Sequence, residues 1–509
     1  MGDPKTMANA SPLADFRQME FFAQVSLLGE IQSGAVDDCF EDLVDLFVNP
    51  VGDKSVDNLV HATLASLLER DDSSVVRGMG SPYQELASLC AHIAGKKRFS
   101  SAVQTMIRVL ANDPPESLVF DFLSALTQLI DPSALPLFRR YAEDTEPMVA
   151  SVAIRGLGRL RDEESLPLLS RIVELAGSDT AYHHCEIHSW EAVQTLATIS
   201  SPAALDILAD HIHHRNPTLR RGIIEALTAA GDAAVPPLAR IVSTGSPDPT
   251  IMAANVLGLI GSRKGTRPLL QALDACSALD PNVRFSIFEA LGRIGDLQSL
   301  VALFDALLDQ DEFTVRAASQ GLEANASPSL ADRLAAAMAA STDKGQGIAQ
   351  ALARTGASEI LGFLRQKPPL RSVVEEAEKS TFPKPQSSQA RPLRLLAVDD
   401  SKTMRVHYRQ ILEQVGHQVE TAENGSQALD AINSEKTFDL LITDLNMPMM
   451  TGMELLSRLR SMGVDTPAIL VTTESDESQI SLAMDTGFSA VLSKPFKTES
   501  LLDLLASLV

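Results

Sequence analysis

The stretch FDLLITDLNMP, residues 438–448, runs an apolar segment, Leu440, Leu441 and Ile442, straight into a carboxylate, Asp444. A short apolar run bounded by turn signals reads as a strand buried on both faces. Four more runs of this kind surround it: LRLLAVDD (393–400), HQVETAEN (417–424), PAILVTT (467–473) and AVLSKPF (490–496). Amphipathic stretches such as KTMRVHYRQILEQV, GSQALDAINS, GMELLSRLRSM and SQISLAMDTG separate them, and TESLLDLLASLV comes last. Strand and helix alternate throughout 393–509, which predicts a doubly wound, flavodoxin-like (βα)5 domain with a parallel sheet.

In such a sheet, ligands bind at the carboxyl ends of the strands. The first strand brings Asp399 and Asp400 there, the third Asp444, the fourth Thr472 and Thr473, and the fifth Lys494. A single strand-end aspartate is an ordinary turn residue; the convergence of three carboxylates with a lysine and hydroxyls is not. Clustered carboxylates raise one another's pKa, and a hard divalent cation resolves the conflict. An oxygen-only ligand set suits Mg²⁺. The lysine and a hydroxyl can grip a phosphoryl group. An aspartate beside them is a fitting nucleophile for phosphoryl transfer.

Four motifs carry a family resemblance: VDDSKTMR (398–405), DLLITDLNMPMMTGMELL (439–456), LVTTESD (470–476) and SKPF (493–496). In this order and spacing they resemble the receiver domain of two-component response regulators. The resemblance implies that Asp444 accepts a phosphoryl group from a histidine kinase or a phosphotransfer protein. It implies that Asp399, Asp400, Asp444 and the carbonyl of Asn446 hold Mg²⁺. Lys494 would pair with the phosphoryl group, Thr472 would follow it as the switch residue, and the Lys494–Pro495 peptide would be cis. Asn446 and Glu474 hold the positions that face the attacking water in receivers. Both can hydrogen-bond that water, so the phosphoryl group is expected to last seconds to minutes. One position departs from the family: Val491 stands three residues before Lys494, where receivers commonly carry Tyr or Phe. With no ring there to couple to Thr472, the loop after the fourth strand is the expected route of output.

Upstream, the chain is periodic. ASVAIRGLGRL (150–160), RRGIIEALTAAG (220–231), IMAANVLGLIG (251–261) and RFSIFEALGRIG (284–295) are helix-length segments with apolar residues at three- and four-residue spacing. Their leucines recur at Leu126, Leu157, Leu196, Leu227, Leu257, Leu291 and Leu322, and links rich in Asp, Asn and Pro join each to a partner helix. Helix pairs repeated in this way predict an α-solenoid, since no pair can bury its own apolar face. The pattern resembles short bacterial HEAT repeats over residues 120–360. We therefore divide the chain into a helical region of degenerate or capping repeats (1–120), a HEAT-like α-solenoid (121–365), a Pro-rich linker (366–392) and the receiver-like domain (393–509). Within the linker, one or two helical turns are expected at Leu370 to Lys379.

The 509 residues carry a formal net charge of −23 and only 5 % aromatic residues. A surface this acidic repels nucleic acid and anionic lipid, so neither is an expected partner. The four cysteines are far apart and form no CxxC pair, which suits reduced thiols and a cytoplasmic location. No apolar run is long enough to insert in a membrane. Six histidines lie between 183 and 214 (His183, His184, His188, His211, His213 and His214), with Cys185 and Glu186 among them. They are either polar residues on inter-helix turns or a metal site. No His-Glu dipeptide of the deoxyhypusine hydroxylase kind occurs.

The resemblance implies a response regulator that is not itself an enzyme beyond assisting its own phosphorylation and dephosphorylation. Asp444 is then the expected switch, and the solenoid is expected to offer an unidentified protein partner its surface as the output. The first alternative is a binding scaffold whose receiver is only a phosphate sink. The second is a metal-dependent enzyme in the solenoid, resting on the histidine cluster.

Overall fold

The computed structural model describes residues 12–36, 39–112, 114–176, 187–243, 246–275, 280–339, 341–381, 391–433, 437–447, 449–473, 477–494 and 496–508. They divide into two compact units: one runs to Leu175 and includes the helix Ile187–Ile199, and the other runs from Ser200 onward. The second unit holds both a run of helix pairs and an α/β domain.

Local chemistry sets the helix ends. The Asn216 side chain accepts from the N–H groups of Thr218 and Leu219 at the start of helix Pro217–Ala230, and Asp280 caps Pro281–Ile294 through Asn282 N–H. Proline fills the first position of both, where its missing N–H costs nothing. Helices then stack by small residues. A Cβ on Gly292 would lie 2.6 Å from the Gly321 Cα, so helices Pro281–Ile294 and Glu312–Ala324 meet backbone to backbone. The same two helices bury Ile287, Leu291, Ala318 and Leu322.

The helix within 366–392 is longer than expected. Arg371–Thr381 is one continuous helix of 11 residues. Val374 and Ala377 are buried, and the helix packs on Thr342–Thr355, so tertiary burial extends what propensity alone would leave short.

The α/β domain follows the expected plan. Five parallel strands, β1 (Arg394–Val398), β2 (Gln418–Ala422), β3 (Leu440–Asp444), β4 (Ala468–Thr472) and β5 (Ala490–Ser493), lie in the order β2-β1-β3-β4-β5. Helices cover both faces. Leu396, Val398, Leu441 and Leu470 pack with Met453 and Leu456 on one side. Leu395, Ala397, Ile442 and Val471 pack with Met404, Tyr408 and Leu501 on the other. Burial of β3 on both faces explains its unbroken apolar run.

A ring cluster ties this domain to the helix Glu312–Ala324. The His407 ring lies 5.7 Å from Phe313 and 5.8 Å from Phe496, and Arg316 donates to Gln410 Oε1 at 2.7 Å. His407 is buried and neither ring nitrogen has a hydrogen-bond partner among the described residues. Burial, and then the Arg316 charge, push its pKa down from 6.5 to about 3. The docked ring is therefore neutral, while a ring released from the contact takes a proton below pH 6.5. Acid thus favours release: the contact is unaffected above pH 6.5 and loses stability progressively as pH falls towards 3. At pH 5 the loss is about 2 kcal/mol. Comparing His407→Phe with the parent protein in chemical denaturation at pH 7.5 and pH 5 isolates this term; equal pH dependence in both would refute it.

Candidate functional site

The sheet brings the predicted residues together. β1 and β3 are neighbours with Val398 beside Thr443, so Asp399, Asp400 and Asp444 emerge at one edge. Their carboxylate oxygens lie within 4.8 Å of one another. Asp399 is fully buried and Asp444 is 8 % exposed. Lys494, just past β5, donates from Nζ to Asp399 Oδ2 at 2.9 Å and to Asp444 Oδ1 at 3.0 Å. Its N–H donates to the Thr472 carbonyl at 2.7 Å, which anchors the lysine to the end of β4.

Hydrogen bonds anchor the loops after β1 and β3. Ser401 caps helix Lys402–Gln414 by accepting from Met404 N–H, and its own N–H donates to Asp399 Oδ1 at 2.9 Å. Arg405 donates to the carbonyls of Asp399 and Asp400 at 2.7 and 2.9 Å. After β3, Thr451 and Glu454 form a capping box at the start of helix Gly452–Ser461. Gly452 N–H donates to the Leu445 carbonyl at 3.0 Å and closes the loop that holds Asn446.

The electrostatics are those of an anionic cluster out of water. Burial pushes the Asp444 carboxyl up to about 7 against the pull of Lys494, and the Asp399 and Asp400 charges add to the rise. Burial and the Asp399 charge lift Asp400 to about 6. Burial works against the Lys494 ammonium, but its flanking carboxylates hold its pKa well above the ordinary value. Lys494 alone does not balance three carboxylates. The donor set, all hard oxygens at one edge, fits a divalent cation such as Mg²⁺.

A cavity of about 190 Å³ opens onto this edge, with Asp399, Asp400, Asp444, Asn446, Thr473 and Lys494 in its wall. Thr472, the last residue of β4, is buried. Glu474 and Pro495 lie outside the described residues, as do His183, His184, Cys185 and Glu186. Of the remaining histidines, His211 bonds the Ile207 carbonyl through Nδ1 at 2.9 Å, and His214 accepts from Asn216 N–H at 3.0 Å. Among the described residues, the one grouping of three potential metal ligands is Asp399, Asp400 and Asp444.

The rest of the cavity wall was not anticipated from sequence. It comes from the helix pairs: Arg220, Arg221, Asn282, Phe285, Glu289 and Phe313. Arg220 donates to Asn446 Oδ1 at 2.6 Å, and Arg221 to the Met449 carbonyl at 2.8 Å. Asn282 donates to the Lys494 carbonyl at 2.8 Å, and Ser401 Oγ donates to Glu289 Oε1 at 2.5 Å. The available signal was faint: RRGIIEALTAAG opens on arginine where ASVAIRGLGRL opens on alanine.

Comparison with known proteins agrees with both halves. The family model of the response regulator receiver domain matches residues 395–506, and that of HEAT repeats matches 103–182, 179–254 and 235–323. The response regulator MprA of Mycolicibacterium vanbaalenii is 36% identical over 118 residues, 23% of this chain and 51% of that protein. MprA of Mycobacterium avium is 37% identical over 117 residues, again 23% and 51%. The chain thus spans about half the length of the curated relatives it matches. Among solved structures, chemotaxis protein CheY4 of Vibrio cholerae shares 36% identity and aligns over 23% of this chain and 100% of its own, with a TM-score of 0.23. No helix among the described residues is long and apolar enough to cross a membrane. The C-terminal domain is a response regulator receiver domain, joined to HEAT repeats that precede it in the chain.

Proposed function

We propose that the protein is a two-component response regulator in which Asp444 is the phosphoacceptor and the HEAT repeats are the protein-binding output. The observation that carries the first part is the bridging of Asp399 and Asp444 by Lys494 in the wall of a cavity. The Asp444 carboxylate oxygen attacks phosphorus as the N–P bond of a phosphohistidine breaks. The acyl phosphate forms, and the donor imidazole leaves and takes its proton from solvent. Lys494 can pass from the Asp444 carboxylate to a phosphoryl oxygen without leaving Asp399. Asp399, Asp400, Asp444 and the Asn446 carbonyl would hold Mg²⁺, which when bound neutralises charge on the carboxylates and the phosphoryl oxygens.

Thr472 is the switch residue in this reading, and Asn446 and Glu474 set the phosphoryl lifetime. The phosphodonor is a histidine kinase or phosphotransfer protein. The site of action is cytoplasmic, and the boundaries drawn from sequence separate repeats from receiver near 366–392. Direct hydrogen bonds between the acceptor rim and Arg220, Asn282 and Glu289 favour a switch over a phosphate sink, because repeats that touch the site can respond to it.

The test is labelling from radioactive acetyl phosphate in Mg²⁺ and in EDTA. Label above background is expected only with Mg²⁺; equal labelling in EDTA would overturn the assignment of the acidic cluster.

A further inference from the structure

We propose that the face formed by helices Pro217–Ala230, Pro281–Ile294 and Glu312–Ala324 is a docking surface whose occupant is this chain's own receiver, and that docking closes Asp444 to a protein phosphodonor while leaving it open to a small one. The inference rests on the acceptor role of Asp444 given above and concerns its regulation.

Three of the loops that frame Asp444, those after β1, β3 and β5, are engaged from the repeat side. The Asn446 amide is taken by Arg220, the Met449 carbonyl by Arg221, the Lys494 carbonyl by Asn282 and the Ser401 hydroxyl by Glu289, all at 2.5–2.8 Å. Two flanking contacts widen the seam. Phe313 packs edge-on against Phe496 at 6.3 Å, and Arg221 lies 3.6 Å from Glu454. Arg220 is 2 % exposed, so this is an ordered seam and not a loose touch of surface side chains.

The geometry of transfer makes docking and a protein donor exclusive. In-line attack needs the donor phosphorus within about 3–3.5 Å of the Asp444 oxygen. A phosphohistidine on a helix brings with it a body about 10 Å across, and the rim it must rest on is the rim the repeats hold. The remaining space is the 190 Å³ cavity. That volume admits acetyl phosphate or phosphoramidate but not a protein. A protein donor therefore waits for the docked face to open, and its rate scales with the open fraction.

The test compares donors on the full chain. Arg316→Ala and Gln410→Ala each remove the Arg316–Gln410 hydrogen bond across the seam, and neither residue lines the cavity or belongs to the acceptor machinery. The small donor is phosphoramidate; the large one is a histidine phosphotransfer protein charged with phosphoramidate and purified free of it. Labelling by the small donor is expected to stay within about twofold of the parent in both variants, while labelling by the protein donor rises at least about tenfold. If the variants gain nothing with the protein donor, whether by equal rates or by no transfer, the occlusion is wrong. If phosphoramidate labels none of the proteins, the acceptor reading fails instead.

Discussion

Asp444→Asn is expected to take no phosphate from acetyl phosphate while keeping its fold, so that labelling falls from the parent's level to background. The amide has the shape of the carboxylate but no anionic oxygen to attack phosphorus. Its carbonyl oxygen can still accept from Lys494, so the anchor to β5 at 3.0 Å survives as an ordinary hydrogen bond. The variant should even be more stable in metal-free buffer. Burial raises the Asp444 pKa to about 7 from 3.8, which means the ionised group costs the folded state free energy. That cost is fully present above pH 7, shrinks as pH falls, and is gone below 3.8. Thermal melts in EDTA should therefore show Asp444→Asn ahead of the parent at pH 8 and level with it near pH 3.5. Retained labelling would show that another group is the acceptor. A lower melt at pH 8 would show that the carboxylate stabilises the site through Lys494 by more than its burial costs.

How much of this was readable in the sequence depended on range. Asp399, Asp400, Asp444 and Lys494 each lie at or just past the end of a strand, so a local pattern placed every one of them at the same sheet edge. The capping aspartates and the Asn-Pro and Asp-Pro links were legible for the same reason, since Asn216 and Asp280 act on residues two positions away. The Arg220–Asn446 bond spans 226 positions and the Asn282–Lys494 bond 212. Nothing local in RRGIIEALTAAG distinguishes an arginine facing a docked domain from one facing water. Phe313 likewise reads as one more apolar position of a repeat, although its ring leaves the helical core to meet His407. Arg371–Thr381 was underestimated because Glu375, Glu376 and Glu378 mask the apolar face made by Val374 and Ala377. Local chemistry names the acceptor; tertiary docking decides who can reach it, and only the folded chain displays that.

Gly452→Ala is expected to cut phosphorylation by more than about tenfold and to destabilise the receiver by about 1–3 kcal/mol, the usual cost of forcing a methyl group into a filled space. Alanine is ordinarily the better helix residue, and Gly452 opens the helix Gly452–Ser461, so propensity alone predicts a gain. Geometry predicts the opposite. A Cβ at this position would lie 2.2 Å from the Asp444 carbonyl oxygen and 3.3 Å from Thr443 Cγ2. The first is a backbone atom and cannot rotate away, so either β3 or the helix start must shift by about an ångström to restore ordinary contact. Both movements reach the acceptor. Displacing β3 moves Asp444 itself off Lys494; displacing the helix breaks the Gly452–Leu445 hydrogen bond and releases the loop that presents Asn446. An in-line transfer tolerates little of this, because a misplacement of about 1 Å can cost two orders of magnitude in rate. The measurements are labelling by acetyl phosphate and urea denaturation on the same preparation. Unchanged labelling in a destabilised protein would mean that the shift is absorbed by the helix without reaching Asp444. Unchanged stability together with unchanged labelling would mean that the tight contact between Gly452 and the Asp444 carbonyl does not govern the acceptor loop at all.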